Sequence, residues 1–169
     1  MVGADEHGSI ELVEDYGPAW SPGRFELGTD GPRVIVVGVD GSRSSLRAGA
    51  YAGGVARRQR SRLVIVYVAA PSAWASMAAG ALGAAEQETH LDVVRELRQQ
   101  IRDRVGDLGV PARFMVRRGD TFLQLRQVAT EMRADMVVVG ASEQAGHRLV
   151  GSTAAKLVRT AQWPVTVVP

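Results

Sequence analysis

The sequence predicts an open parallel sheet of five strands with helices on both faces, a doubly wound α/β fold. Three observations lead there. Runs such as Val34-Ile35-Val36-Val37 and Met136-Val137-Val138-Val139 are apolar throughout rather than alternating, as in strands buried on both faces. Each run is followed by a stretch with apolar residues every three or four positions, the period of an amphipathic helix. The joints between them carry Gly, Ser and Asp, residues that turn the chain and cap helices.

The first strand covers 33–40 and ends in the turn Asp40-Gly41-Ser42, where Ser42 or Ser44 can cap a helix over about 44–59. In that helix Leu46, Ala50 and Val55 are the expected core contacts. A second strand covers 62–68, and a small-residue loop over 76–83 follows it. Val94, Leu97, Ile101, Val105 and Leu108 mark a long helix over about 85–108, stopped by Gly109-Val110-Pro111. The third strand, 112–117, leads through Gly119-Asp120-Thr121 into a helix with Leu125, Val128, Ala129 and Met132 on one face. The fourth strand is 136–140. A glycine-bearing loop then reaches a helix from Ser152 with Ala154, Leu157, Val158 and Ala161 inward, and 163–168 closes the sheet. Strands this apolar, each returned by a helix, require a parallel sheet covered on both faces.

Residues 1–32 break the pattern. They hold seven acids against Arg24 alone, a net charge of −6, so that with the chain at +2 residues 33–169 carry +8. They read as a flexible acidic tail ahead of one domain at 33–169. Trp20 and Phe25 are the exception, suited to docking on the body or on a protein partner. The arginines of the body, Arg57, Arg58, Arg95, Arg98, Arg102 and Arg104 among them, are scattered over helix faces without an aromatic platform. A solvated cationic surface explains them better than a nucleic-acid footprint. No apolar run nears the roughly 18 residues of a membrane span, and the acidic start lacks the character of a secretory signal, so a cytoplasmic protein is expected. With no cysteine there is no disulfide, thiol catalysis or thiolate metal site. His7, His90 and His147 stand far apart, and neither a metal centre nor a redox cofactor is expected.

In a doubly wound sheet ligands sit beyond the carboxyl ends of the strands where strand order reverses. The turn at Asp40-Gly41-Ser42 and the loop from Gly140 to Ser152 therefore matter most. Gly151 permits close backbone approach, Ser152 and Thr153 open a helix whose free amides favour phosphate, and His147 and Arg148 add donors. The same residues also fit a structural role, with Gly140 and Gly146 as turns and Ser152 as a cap. Gly146 to Thr153 approaches a P-loop, but Ser152 takes the place of its lysine, which argues against a P-loop ATPase. Asp135 reads as a turn residue, and Tyr67 as a strand aromatic near the presumed pocket.

Residues 33–169 resemble a single-domain universal stress protein. The resemblance rests on Val37-Gly38-Val39-Asp40-Gly41-Ser42, Tyr67-Val68, Ala134-Asp135-Met136-Val137-Val138-Val139-Gly140, Gly151-Ser152-Thr153-Ala154 and Trp163-Pro164-Val165-Thr166-Val167-Val168. It implies an adenine nucleotide alpha hydrolase-like sheet, a homodimer through the last strand and, in many members, ATP in the cleft. Asp40 then meets the adenosine, Val68 lies against the base, and Gly140, Gly151 and Ser152 belong to the loop that wraps ribose and phosphates. The candidate nucleotide residues are Val39, Asp40, Val68, Gly140, Gly146, Arg148, Gly151, Ser152 and Thr153. One departure stands out. Glu143 occupies the place of the loop's middle glycine, and the loop is two residues shorter than the family's pattern. Two functions fit: a regulatory module that binds ATP, ADP or AMP without being a conventional enzyme, or an interaction protein that has lost the nucleotide and works through its dimer surface and acidic tail.

Overall fold

The computed structural model describes residues 10–17, 31–70, 81–142 and 151–169. The elements in chain order are β1 (Ile10–Tyr16), β2 (Val34–Val39), α1 (Arg43–Gln59), β3 (Arg62–Ala69), α2 (Ala81–Leu108), β4 (Ala112–Arg118), α3 (Thr121–Glu131), β5 (Met136–Gly140), α4 (Ser152–Thr160) and β6 (Val165–Val168). Across the sheet the order is β1-β4-β3-β2-β5-β6. All neighbours run parallel except β1, which is antiparallel to β4. The chain builds outward from β2 through β3 to β4, then returns to the other side of β2 for β5 and β6.

Both faces of the sheet are packed. Ile35, Val37, Ile65 and Phe114 meet Ala48, Ala52 and Ala56 of α1 and Leu97 and Ile101 of α2. Val36, Val64 and Val66 meet Leu125 and Val128 of α3 and Ala154 and Leu157 of α4. Successive residues of β2 thus enter opposite layers, which is why its sequence does not alternate. Asp135 does serve a turn: its Oδ2 accepts the amides of Arg33 at 2.9 Å and Val34 at 3.0 Å, fixing the entry to β2.

The structure corrects the sequence reading in three places. Ala50 is exposed, and the buried stripe of α1 runs through Ser45, Ala48, Ala52 and Ala56, because small side chains let the helix lie close on the sheet. In α4 the buried residues are Ala154 and Leu157, while Val158 is 52% exposed and Ala161 is already the left-handed C-cap. The third correction is larger. The sheet has six strands, not five, because Ile10–Tyr16, within the expected flexible tail, pairs with β4. The other aromatic residues of that tail, Trp20 and Phe25, lie outside the described residues.

Charge does much to hold β1 in place. From Glu11 to Tyr16 no side chain is fully buried, although Leu12 and Tyr16 pack against the core. The pairing shifts register between Ile10 and Leu12, leaving Glu11 as the extra residue of a bulge. Glu11 meets His90 Nε2 at 3.1 Å and Arg118 at 3.3 Å. Glu14 accepts from Tyr16 at 2.6 Å and from Arg98 Nε at 2.9 Å, with a second contact to the same guanidinium. Asp15 accepts twice from Arg113, at 2.6 and 2.7 Å, and once from Arg62 at 2.8 Å. Burial works against the charge on Glu14, but the Arg98 and Tyr16 hydrogen bonds and the charges of Arg98 and Arg102 outweigh it and hold the carboxyl below its usual range. Asp15 is held low first by its bond from Arg113, against burial, and then by Arg62.

Carboxyls with depressed folded-state pKa values contribute stability above their unfolded values and lose it as pH falls through the folded ones. Thermal melts should therefore show a loss of stability below about pH 4. The double variant Glu14→Gln/Asp15→Asn should be less stable at pH 7 by about 1–2 kcal/mol and lose less on acidification. An acid profile unchanged by the double variant would show that other groups set it.

Candidate functional site

Strand order reverses between β2 and β5, and a cleft of about 450 Å³ opens there at the carboxyl ends of the strands. Its apolar part includes Val66, Val68, Leu125 and Val139. Its polar rim comes from two segments, Asp40 with Ser42, Ser44 and Ser45 on one side, and Gly140 to Ser142 with Gly151 to Thr153 on the other.

The first segment is tightly bonded. Gly41 turns with a φ of +84°, a conformation glycine adopts without strain. Ser42 caps α1 by accepting the Ser45 amide at 3.2 Å, and its own amide donates to Asp40 Oδ1 at 2.9 Å. Ser45 Oγ accepts the Asp40 amide at 3.2 Å and donates to the Ser42 carbonyl at 3.0 Å. Burial opposes the charge on Asp40, but the hydroxyl and amide of Ser42, helped by Ser45, hold its carboxyl below the usual range. At neutral pH it is an ionised acceptor facing the cleft, suited to hydroxyl donors.

The second segment is suited to anions. α4 starts at Gly151, whose position provides no side-chain cap, and no acid stands in its first turn. The first amides of a helix have no partner within it, and the dipole end is positive. The start of α1 also borders the cleft, as does Thr121 at the start of α3, where Asp120 accepts the Leu123 amide at 2.9 Å.

Gly140 sets the spacing between these parts. A Cβ there would lie 2.7 Å from the Ser44 carbonyl carbon and 2.7 Å from the Ser45 amide nitrogen, backbone atoms that cannot swing aside. The end of β5 is thereby seated against the first turn of α1.

Of the residues expected from sequence, Val39, Asp40, Val68, Gly140, Gly151, Ser152 and Thr153 all line this cleft. Gly146 and Arg148 lie outside the described residues, as do Glu143 and His147. Tyr67 is buried in the other core layer, stacked on His90 with ring centroids 5.4 Å apart. Burial, then the charges of Asp40 and Glu11, push its phenol up. Sequence reasoning missed Ser142, Thr121 and the wall residue Leu125. Thr121 had a signal, because it opens the helix after a strand whose carboxyl end faces the same side.

Gly140→Ala should destabilise the protein by about 1–3 kcal/mol, the cost of overpacking against fixed backbone. Gly106→Ala on α2, where an added Cβ meets nothing, should stabilise it by up to about 1 kcal/mol. Urea unfolding of both variants checks the contrast, and equal effects would mean that the close approach at Gly140 carries no weight.

Comparison with known proteins agrees with this geometry. Residues 32–169 match the universal stress protein family. Among solved structures the chain is similar to universal stress protein UspA from Lactobacillus plantarum, with 24% identity, a TM-score of 0.67, and 80% of this chain and 97% of that chain covered. It is also similar to a universal stress protein solved in complex with cAMP, at 27% identity and a TM-score of 0.59, covering 82% and 98%. A universal stress protein family member from Burkholderia pseudomallei gives 26% identity and a TM-score of 0.57, covering 81% and 96%. No curated protein matches the chain. With the family match spanning everything from Pro32 to the last residue, and the sheet order and switch-point cleft in place, the chain belongs to the universal stress protein family.

Proposed function

We propose that the protein is a regulatory module that binds an adenine nucleotide in the cleft between β2 and β5 and signals as a dimer rather than turning substrate over. One observation carries this reading. The cleft pairs an apolar wall with an ionised acceptor at Asp40 and an uncapped helix start at Gly151, a layout that suits base, ribose hydroxyls and phosphate in turn. The relative solved with cAMP, which spans nearly its whole length on this chain, supports the same ligand class. Glu143, three residues past Gly140 in sequence and at the place of the family loop's middle glycine, is a negative charge that favours ligands with fewer phosphate charges.

Calorimetry on the full chain tests this. AMP, ADP and cAMP should bind at least as well as ATP, and Glu143→Gly should shift preference towards ATP by about 1 kcal/mol. Asp40→Asn should weaken every adenosine ligand alike. If no adenine nucleotide binds, and none is released on heat denaturation of the purified protein, the interaction-protein reading takes its place.

The dimer rests on β6. Among the described residues this strand pairs on one side only, and Val165, Thr166, Val167 and Val168 are half-buried with no charge among them. Val158 on neighbouring α4 adds exposed apolar surface. Natural proteins cover or charge such an edge, and a second copy covers it symmetrically. Val167→Lys should convert dimer to monomer by light scattering. Val158→Lys, on the surface of α4, should weaken the dimer without unfolding the chain. A parent protein that is monomeric at micromolar concentration would refute the edge pairing.

A further inference from the structure

The strand β1 lies outside the stretch matched to the family, which starts at residue 32, so it is an addition to that domain, laid against β4. From Glu11 to Tyr16 none of its side chains is fully buried. The body offers it the main-chain edge of β4 and a set of cations from three elements, Arg113 on β4, Arg62 on β3 and Arg98 on α2. Among the described residues every ion pair of these three arginines is with an acid of β1. The connection does not hold the strand there. Tyr16, Ala112, Leu63 and Ile35 stand in one row across the sheet, which is three strand spacings or about 14 Å. Residues 17–33 link β1 to β2 and, drawn out, would reach about 55 Å. β1 is therefore a tethered strand, held by register and charge, with chain enough to leave.

We propose that the outer edge of β4 is a docking site for an extended acidic segment of a partner protein, and that β1 occupies it until such a segment displaces it. This stands apart from the nucleotide reading. The segment adds as an antiparallel strand, main chain to main chain, as β1 does. Its side chains repeat what β1 supplies. Acids at its first, fourth and fifth positions meet His90, then Arg98, then Arg113 with Arg62, as Glu11, Glu14 and Asp15 do. An apolar residue at the second position and an aromatic one at the sixth pack on the core in the manner of Leu12 and Tyr16. A slip of one residue turns every side chain to the other face, so the acids must stand at those positions and not merely be present. The tether makes β1 a competitor at roughly millimolar concentration, which sets the affinity a partner has to exceed.

The test is fluorescence anisotropy of a labelled synthetic peptide with the sequence of residues 10–17, titrated with the full chain at low salt. The parent should bind it weakly, because β1 is in place. Glu14→Gln/Asp15→Asn loosens that occupant, and the peptide should bind the variant about tenfold more tightly. Adding Arg98→Gln to the variant should cost the peptide about fivefold. A peptide with its three acids moved one position along should bind at least tenfold more weakly. In the parent, hydrogen exchange of the β1 amides should quicken as unlabelled peptide is added in excess, a readout that needs no variant. The proposal falls if the double variant binds no more tightly than the parent, if the shifted peptide binds as well, or if Arg98→Gln changes nothing. β1 amides that keep their protection while the peptide binds would also refute it. So would a parent that assembles beyond a pair as its concentration rises, since the occupant would then be the β1 of another copy.

Discussion

The structure depends on β2 being buried on every side. Its backbone pairs with β3 and β5, and its side chains enter both core layers. Every donor and acceptor of such a strand must be met by a neighbour, and both its faces must be roofed by helices. The chain therefore leaves β2 through α1 for β3 on one side and returns from β4 through α3 to β5 on the other, and the crossovers cannot cover the point where they diverge. The cleft is the space they leave, so the site follows from burial of the central strand rather than from any one loop.

Much of this was legible in the sequence, for physical reasons that the residues show. Val34 to Val39 and Met136 to Val139 are apolar at every position because both faces are covered, and that excluded an ordinary half-exposed strand. Asp40, Gly140 and Gly151 were legible because a turn beside a ligand needs small or capping residues at fixed points. β1 was not. Its alternation is interrupted by Glu11, Glu14 and Asp15, which read as solvent-facing acids until Arg98, Arg113, Arg62 and His90 are seen opposite them. Those partners are 47 to 98 positions away in sequence, beyond the reach of local pattern. The stripe of α1 was misjudged for a related reason. Alanines and serines carry little hydrophobic signal, yet they face inward where the helix must lie close to the sheet.

The two ends of the cleft differ in how their charge is held. At Asp40 the charge is a carboxylate held below its usual range by hydrogen bonds within its own turn, so its ionisation needs no ligand. At Gly151 the favourable field is that of peptide dipoles, present in full whether or not an anion arrives. Fixed fields of this sort need no rearrangement to meet an anion. Ser42, which holds Asp40, also caps α1, and α1 is seated on Gly140. A ligand touching either rim therefore presses on a joint shared by two layers.

The unequal treatment of the sheet's two margins has a consequence for assembly. On the β4 side the sheet ends in β1, an edge strand whose Glu11, Glu14 and Asp15 are engaged with His90 and arginines, and charge on an edge discourages further pairing. On the β6 side it ends in Val165-Thr166-Val167-Val168, which carries no charge. One charged margin and one uncharged margin leave the molecule a single edge suited to pairing. Copies that paired through β6, as proposed, would each use up that margin, so the stack would terminate at a pair instead of lengthening into a fibre.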